Sequence, residues 1–269
     1  ALADRLADVK RRFRRVLDVG CHGGDMARAL AGRTDIEALV QCDLSPAMAA
    51  RAAAAGRPAV AADEERLPFV AGGFDLVVSN LSLHWANDLP GALIQIRRVL
   101  RPDGLFLGAM LGGETLAELR QAVMAAEIAL AGGVSPRLSP YAGLVDAGAL
   151  LQRAGFALPV VDSDTVTVTY ETAFGLFADL RGMGETNAAL TRNPAPPPRR
   201  LWSETARRYR ADFADADGRV PATFEVIHLS GWSPHDSQQR PLPPGSARTR
   251  LATALGTDEA AAGDKARPR

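Results

Sequence analysis

Cysteine is nearly absent: the 269 residues hold Cys21 and Cys42 and no others. Two thiols exclude a disulfide scaffold and a cysteine-based structural zinc site. They read as small, partly buried side chains in a reducing compartment. Histidine is scarce too, with His22, His84, His228 and His235. No H-x-D or H-x-x-E pair supplies a two-histidine, one-carboxylate iron site. His84 with Asp88 comes nearest, and no dedicated metal is expected. Charge of either sign is not in excess, since 31 Lys and Arg balance 31 Asp and Glu. That removes the field expected of a nucleic-acid binder. No apolar run approaches the ~20 residues that cross a bilayer, which leaves only peripheral contact with a membrane. G-x-S-x-G and the Walker A pattern are both missing.

What is present describes a globular chain. A hydrophobic content of 47% and a charged content of 23% belong to that class. The length suits one domain with an insertion. Arginine far outnumbers lysine and alanine abounds, a signature of a GC-rich genome more than of function. Ala1 stands without Met shortly before the first strand, so an N-terminal piece carrying any targeting signal is expected to precede it.

Strands alternate with helices up to about residue 111, as in a parallel sheet. Strands are expected at 15–20, 37–43, 58–62, 74–79 and 104–110, and helices at 24–32, 46–55 and 88–101. Ser45 before Pro46 is an N-cap with proline at N1. Pro102-Asp103-Gly104 is a turn. Beyond 111 the texture changes. Helices are expected at 114–131, 145–154, 172–182 and 200–213, with a breaker-rich loop at 132–140. Alternating Val and Thr make 160–170 a strand. Residues 223–232 form the last strand, antiparallel beside the fifth. One domain, 1–256, is expected, with a cofactor-binding half (1–111) and a substrate and lid half (112–256). The tail at 257–269 should be disordered.

The most informative run is Val16-Leu-Asp-Val-Gly-Cys-His-Gly-Gly24. An apolar strand enters glycines and then a helix. Glycine permits positive φ and close ligand approach, and Asp43 closes the next strand, where a carboxylate can take both ribose hydroxyls. A dinucleotide-binding G-x-G-x-x-G is not supplied. Asp18, Gly20 and Gly24 instead resemble motif I of class I S-adenosylmethionine (SAM) methyltransferases, D-x-G-x-G-x-G. His22 replaces the middle glycine and is expected to crowd the methionine end of the pocket. Cofactor-binding candidates are Asp18, Gly20, Cys21, His22, Gly24, Asp43, Leu44, Asp63, Glu64 and Asn80. In methyltransferases an Asp at the position of Asp63 meets the adenine amino group, and the next side chain packs beside the ring. Leu67-Pro68-Phe69 completes that stretch. Asn80 ends the fourth strand near the methionine portion.

His84 follows directly. It is either a general base near the reacting centre or a helix-start histidine packed under Trp85. Asp179 to Asn187 closes a helix with glycines and offers Arg181, Glu185 and Asn187. The catalytic candidates are His84, Glu185 and Asn187, although Glu185 could equally cap a helix. Substrate-binding candidates are Trp85, Arg181, Trp232, His235 and Gln238. His228, inside the last strand, reads as structural.

Further motifs extend the resemblance across nearly the whole chain. They are Asp63-Glu-Glu-x-Leu-Pro-Phe69, Phe74 to Pro90, Gly108-Ala-Met-x-Gly-Gly-Glu-Thr-Leu116, Asp179-Leu-Arg-Gly-Met-Gly-Glu-x-Asn187, Val220-Pro-Ala-Thr-Phe224, Gly231-Trp232 and Pro244-Gly-Ser-Ala247. Together they resemble the methyltransferase-like assembly-factor family of respiratory complex I and its alphaproteobacterial relatives. The resemblance implies a seven-stranded class I SAM-methyltransferase (Rossmann-like) α/β fold with a helical lid between strands six and seven. It further implies SAM as cofactor. The implied reaction is hydroxylation of an arginine in a complex I iron–sulfur subunit, in a bacterial cytoplasm or a mitochondrial matrix. Leu-Pro-Phe and Arg-Gly-Met-Gly also resemble malonyl-carrier-protein O-methyltransferases of biotin synthesis, against which the segment from Trp232 to Gln239 argues. A non-catalytic assembly chaperone with a vestigial pocket is the third reading, favoured by His22. Oligomeric state is not legible.

Overall fold

The computed structural model describes residues 2–258 apart from 190, 194, 240–245, 247 and 248. It forms two compact units, Ala1–His235 and Asp236–Arg269. The main unit therefore stops at His235, short of the boundary expected after residue 256. In the second unit a short helix, Leu251–Leu255, is described; of the tail expected to be disordered at 257–269, Thr257 N–H donates to Ala252 O, and residues 259–269 lie outside the described residues.

The first unit is built on one seven-stranded sheet. Its strands are β1 (Arg15–Val19), β2 (Ala38–Asp43), β3 (Ala59–Ala61), β4 (Phe74–Asn80), β5 (Leu100–Leu111), β6 (Ala157–Tyr170) and β7 (Val220–Trp232). Their spatial order is β3-β2-β1-β4-β5-β7-β6. The first five run parallel, and β7 is antiparallel to both β5 and β6. Between them lie α1 (Leu2–Ala7), α2 (Asp25–Ala29), α3 (Pro46–Ala53), α4 (Leu89–Val99), α5 (Ala117–Ala131), α6 (Leu144–Arg153), α7 (Ala173–Met183) and α8 (Arg199–Phe213). The lid helices α7 and α8 sit between β6 and β7 in sequence, as expected.

Local chemistry explains the helix starts. Ser45 Oγ accepts from Met48 N–H ahead of Pro46, and Asp88 Oδ1 accepts from Gly91 N–H ahead of α4. Alternation along buried strands sends side chains to two cores. Leu17, Val19, Val77 and Phe106 meet α4 and α6 on one face. Val16, Leu76, Val78 and Leu105 meet α1 and α2 on the other. The turn at 102–104 does not start β5. The strand begins at Leu100, and residues 101–104 bulge out between the Phe74↔Leu100 and Leu76↔Leu105 pairs.

β6 and β7 are longer than the sheet they complete. β5 pairs with β7 only from Val226 to Trp232, whereas β6 pairs with it back to Val220. The excess is a two-stranded arm beyond β5. A third core of Leu116, Leu119, Leu176, Leu180, Tyr209 and Ala222 packs α5, α7 and α8 on this arm. Tyr209, fully buried, donates to Pro221 O at 2.5 Å.

Candidate active site

The glycine turn after β1 folds as its composition requires. Gly20 and Gly24 take φ of 68° and 82°, and a Cβ on Gly20 would overlap the Ser82 hydroxymethyl group. The N–H groups of Gly20 and Cys21 both donate to Cys42 O, at 2.9 and 3.0 Å, binding the turn to β2. His22 adopts φ 47°, the left-handed region that a side chain resists. Its N–H donates to Asp43 Oδ2 at 2.9 Å, and Ser45 N–H donates to Asp43 Oδ1 at 2.8 Å. Asp43 is thus aimed at the turn, and its carboxylate keeps acceptor capacity. The exposed ring of His22 reaches Leu81 O, with Nε2 at 3.4 Å, spanning the gap between the ends of β1 and β4. Leu44 stands 64% exposed beside Asp43.

The carboxylates here have unequal surroundings. Asp18 is 1% exposed, and neither of its oxygens has a hydrogen-bond partner. Burial, reinforced by Asp25 and Asp43, pushes its carboxyl up to about 7. Burial also raises the Glu64 carboxyl. Asp63 is exposed and caps the following 3-10 turn by accepting from Glu65 N–H at 2.8 Å. So Glu64 is the member of this pair that turns inward. An unpaired buried acid, a turn with no room for a Cβ at Gly20 or Gly24 and an exposed leucine fit a nucleoside that carries an ammonium group. Burial leaves the thiol of Cys21 protonated, its pKa raised to about 12. Among the described residues no group of three or more His, Cys, Asp or Glu is placed to hold a metal.

A second cluster forms past the ends of β4 and β5. His84 lies in the 3-10 turn Leu83–Trp85, and its side chain is 2% exposed. Its Nε2 is 3.0 Å from Glu185 Oε1, across 101 residues of sequence. Leu111 N–H points at Nδ1 from 3.5 Å. Tyr141 OH donates to Glu185 Oε2 at 3.4 Å. The end of α7 delivers Glu185. Gly184, at φ 84°, donates N–H to Arg181 O, and Glu185 N–H donates to Leu180 O, which is a Schellman turn. The chain reverses there and drops the carboxylate onto His84. Glu185 caps nothing after it; its side chain belongs to this cluster.

The other candidates are scattered. Trp85 packs 5.7 Å from the His84 ring. Asn187 ties two loops: its Nδ2 donates to Pro136 O at 2.8 Å and its Oδ1 accepts from Ala189 N–H. Arg181 is exposed on α7. Trp232 and His235 are not brought to the site. β7 is antiparallel, so Trp232 pairs with Leu105, six residues back along β5 from Leu111, which is ~20 Å at strand rise. Trp232 instead lies under the Arg11 guanidinium, 5.5 Å from its ring centre. Gln238 belongs to the second unit. His228, expected to be structural, is buried in β7 with Nε2 3.1 Å from Asp164 Oδ2. Sequence reasoning missed Tyr141 and Leu111 N–H. Its one available signal for the former was a lone tyrosine closing a proline-rich loop.

A methyltransferase-domain family model matches residues 17–108. The YcgJ protein of Bacillus subtilis superposes with a TM-score of 0.61 at 17% identity, covering 87% of this chain and 98% of that one. Sheet order, glycine turn and these matches define a class I methyltransferase fold. The chain is 46% identical over 253 residues to the mitochondrial arginine-hydroxylase NDUFAF5 of Danio rerio, covering 93% of this chain and 78% of that protein. It is 35% identical to a malonyl-[acyl-carrier protein] O-methyltransferase of Methylovorus, over 87% of this chain and 80% of that protein. The chain belongs to the arginine-hydroxylase NDUFAF5 family.

Proposed function

We propose that this protein binds SAM across the ends of β1, β2 and β4 and modifies an arginine side chain of a protein substrate. By family the modification is hydroxylation, a two-electron oxidation in which a C–H bond becomes C–OH and for which dioxygen with an external electron donor would have to supply the oxygen atom. The substrate is an iron–sulfur subunit of respiratory complex I met during its assembly. The observation that carries the reading is the His84–Glu185 pair, held almost out of solvent where the lid meets the sheet. A carboxylate is the natural partner of a guanidinium, which it can take through two parallel hydrogen bonds. Its partial burial strengthens that attraction. Asp18, Asp43 and Glu64 would hold the cofactor through its ammonium, ribose and adenine, and Leu44 would cover the ring. SAM supplies a sulfonium methyl when it is bound. This chain's own residues bind, orient and shield the arginine. In a bacterium the setting is the cytoplasm.

The test is mass spectrometry of that iron–sulfur subunit from a strain lacking this gene. Hydroxylation is supported if one arginine loses the mass of one oxygen. Loss of a methylene mass would make the protein a methyltransferase. An unmodified arginine in both strains would leave an assembly chaperone. Calorimetric titration with SAM checks the cofactor independently.

A further inference from the structure

We infer that Tyr141 is a positioning residue that sets Glu185, and not His84, as the group receiving the substrate's cation. The inference rests on the reading that an arginine enters this site. Leu111 N–H approaches His84 Nδ1 at 3.5 Å, so that nitrogen acts as the acceptor and Nε2 carries the proton. Nε2–H then donates to Glu185 Oε1 at 3.0 Å. In this tautomer the imidazole has no lone pair left for a substrate.

Glu185 does have acceptor capacity left. An ionised carboxylate offers about four acceptor positions. His84 occupies one and Tyr141 another, and the remainder can face a guanidinium. Two neutral donors orient the carboxylate without cancelling its charge. Arg120, the cation whose field reaches Tyr141, is held on the carbonyls of Gly113 and Thr115.

Tyr141 touches both members of the pair. Its ring meets the His84 ring edge-on at 5.7 Å, and its hydroxyl reaches Glu185 Oε2. Burial and the Glu185 charge raise its phenol above the ordinary range, so it stays a donor. A separation of 3.4 Å is long for O–H···O, and catalytic hydrogen bonds commonly tighten only in the loaded complex. Tyr141 also belongs to the segment that Asn187 ties to the lid through Pro136 O. The residue that orients the carboxylate is therefore fastened to the element that delivers it.

The experiment uses the intact protein with SAM and two short peptides, one carrying arginine and the other citrulline at the same place. Binding is measured for wild type, Tyr141→Phe and Glu185→Gln, and nitrogen-15 histidine NMR reads the His84 tautomer. Wild type should prefer arginine, with His84 protonated at Nε2. Tyr141→Phe should cut that preference about tenfold, the size of one hydrogen bond to a charged group, with SAM affinity unchanged. Glu185→Gln should abolish the preference. If wild type binds both peptides alike, the arginine reading fails and this inference falls with it. If wild type discriminates but Tyr141→Phe discriminates equally, the positioning role alone is overturned. A proton on Nδ1 of His84 in wild type overturns it as well.

Discussion

Asp18 is a fully buried carboxyl with no donor, and burial pushes its pKa up to about 7. Its folded pKa lies above the unfolded value of 3.8. The folded state therefore holds the proton longer. The stabilisation is complete below about pH 4 and is lost as pH rises through about 7, amounting to up to about 4 kcal/mol. Urea melts of ligand-free wild type and Asp18→Asn across that window should differ in slope, with wild type losing ground as pH climbs. Parallel curves would mean that solvent or an unseen donor satisfies Asp18. His22 holds a different strain. Glycine at its left-handed φ relieves roughly 1 kcal/mol but costs a similar amount in unfolded-chain entropy. His22→Gly should leave the melting temperature nearly unchanged and tighten SAM binding by opening the gap that the ring spans. Weaker binding would make His22 a contact of the ligand. The conformation of the Gly20–Gly24 turn was legible in the sequence because it is local, and the approach of Asp43 to it because adjacent parallel strands bring their ends together. Tyr141 was not, because its partner is 44 residues away and no local spacing marks that meeting.

The seven strands and the helices between them were legible in kind and order, the short helices Leu2–Ala7 and Leu251–Leu255 were not, and the ends and directions of the elements decided what they could deliver. Apolar periodicity located each strand and the two lid helices. It could not show that Trp232 points away from the site. The expectation of an antiparallel last strand already implied it, because such a strand finishes at the amino ends of its parallel neighbours. The same reasoning isolates the end of α7 as the working part of the lid. A Cβ on Gly184 meets nothing within 4 Å, so Gly184→Ala adds backbone strain and no clash. That strain is about 1–2 kcal/mol and falls on the turn that delivers Glu185. The variant should lose activity on the arginine substrate while SAM affinity persists. If both fall together, the lid also shapes the cofactor pocket.

At the scale of the molecule, α1 straps the sheet from outside. Arg5 reaches Asp162 of β6 with both terminal nitrogens, at 2.7 and 2.5 Å. Both side chains remain more than a third exposed, so Arg5→Ala should cost no more than about 1 kcal/mol, less in high salt. Leu2 and Leu6 already anchor α1 in the core, so a loss of several kcal/mol in chemical melts would show that the ion pair, and not that packing, holds α1 on the sheet.

The place of β7 imposes an order on biosynthesis. β6 leaves the ribosome about fifty residues before β7, which is ~3–10 s of translation. Among the described residues its only neighbour in the sheet is β7. For that interval its backbone has nothing to pair with, and the newly made β5 also lacks a covering strand. Alternating Val and Thr without a charge from Thr165 to Thr169 is the kind of edge that invites pairing with another chain. A fragment ending at residue 219 should therefore aggregate, or remain bound to a chaperone. Recovery of a soluble folded fragment would show that the two lid helices alone can shelter that strand. The last-made strand is the keystone of this sheet, and until it arrives the nascent chain is exposed to self-association.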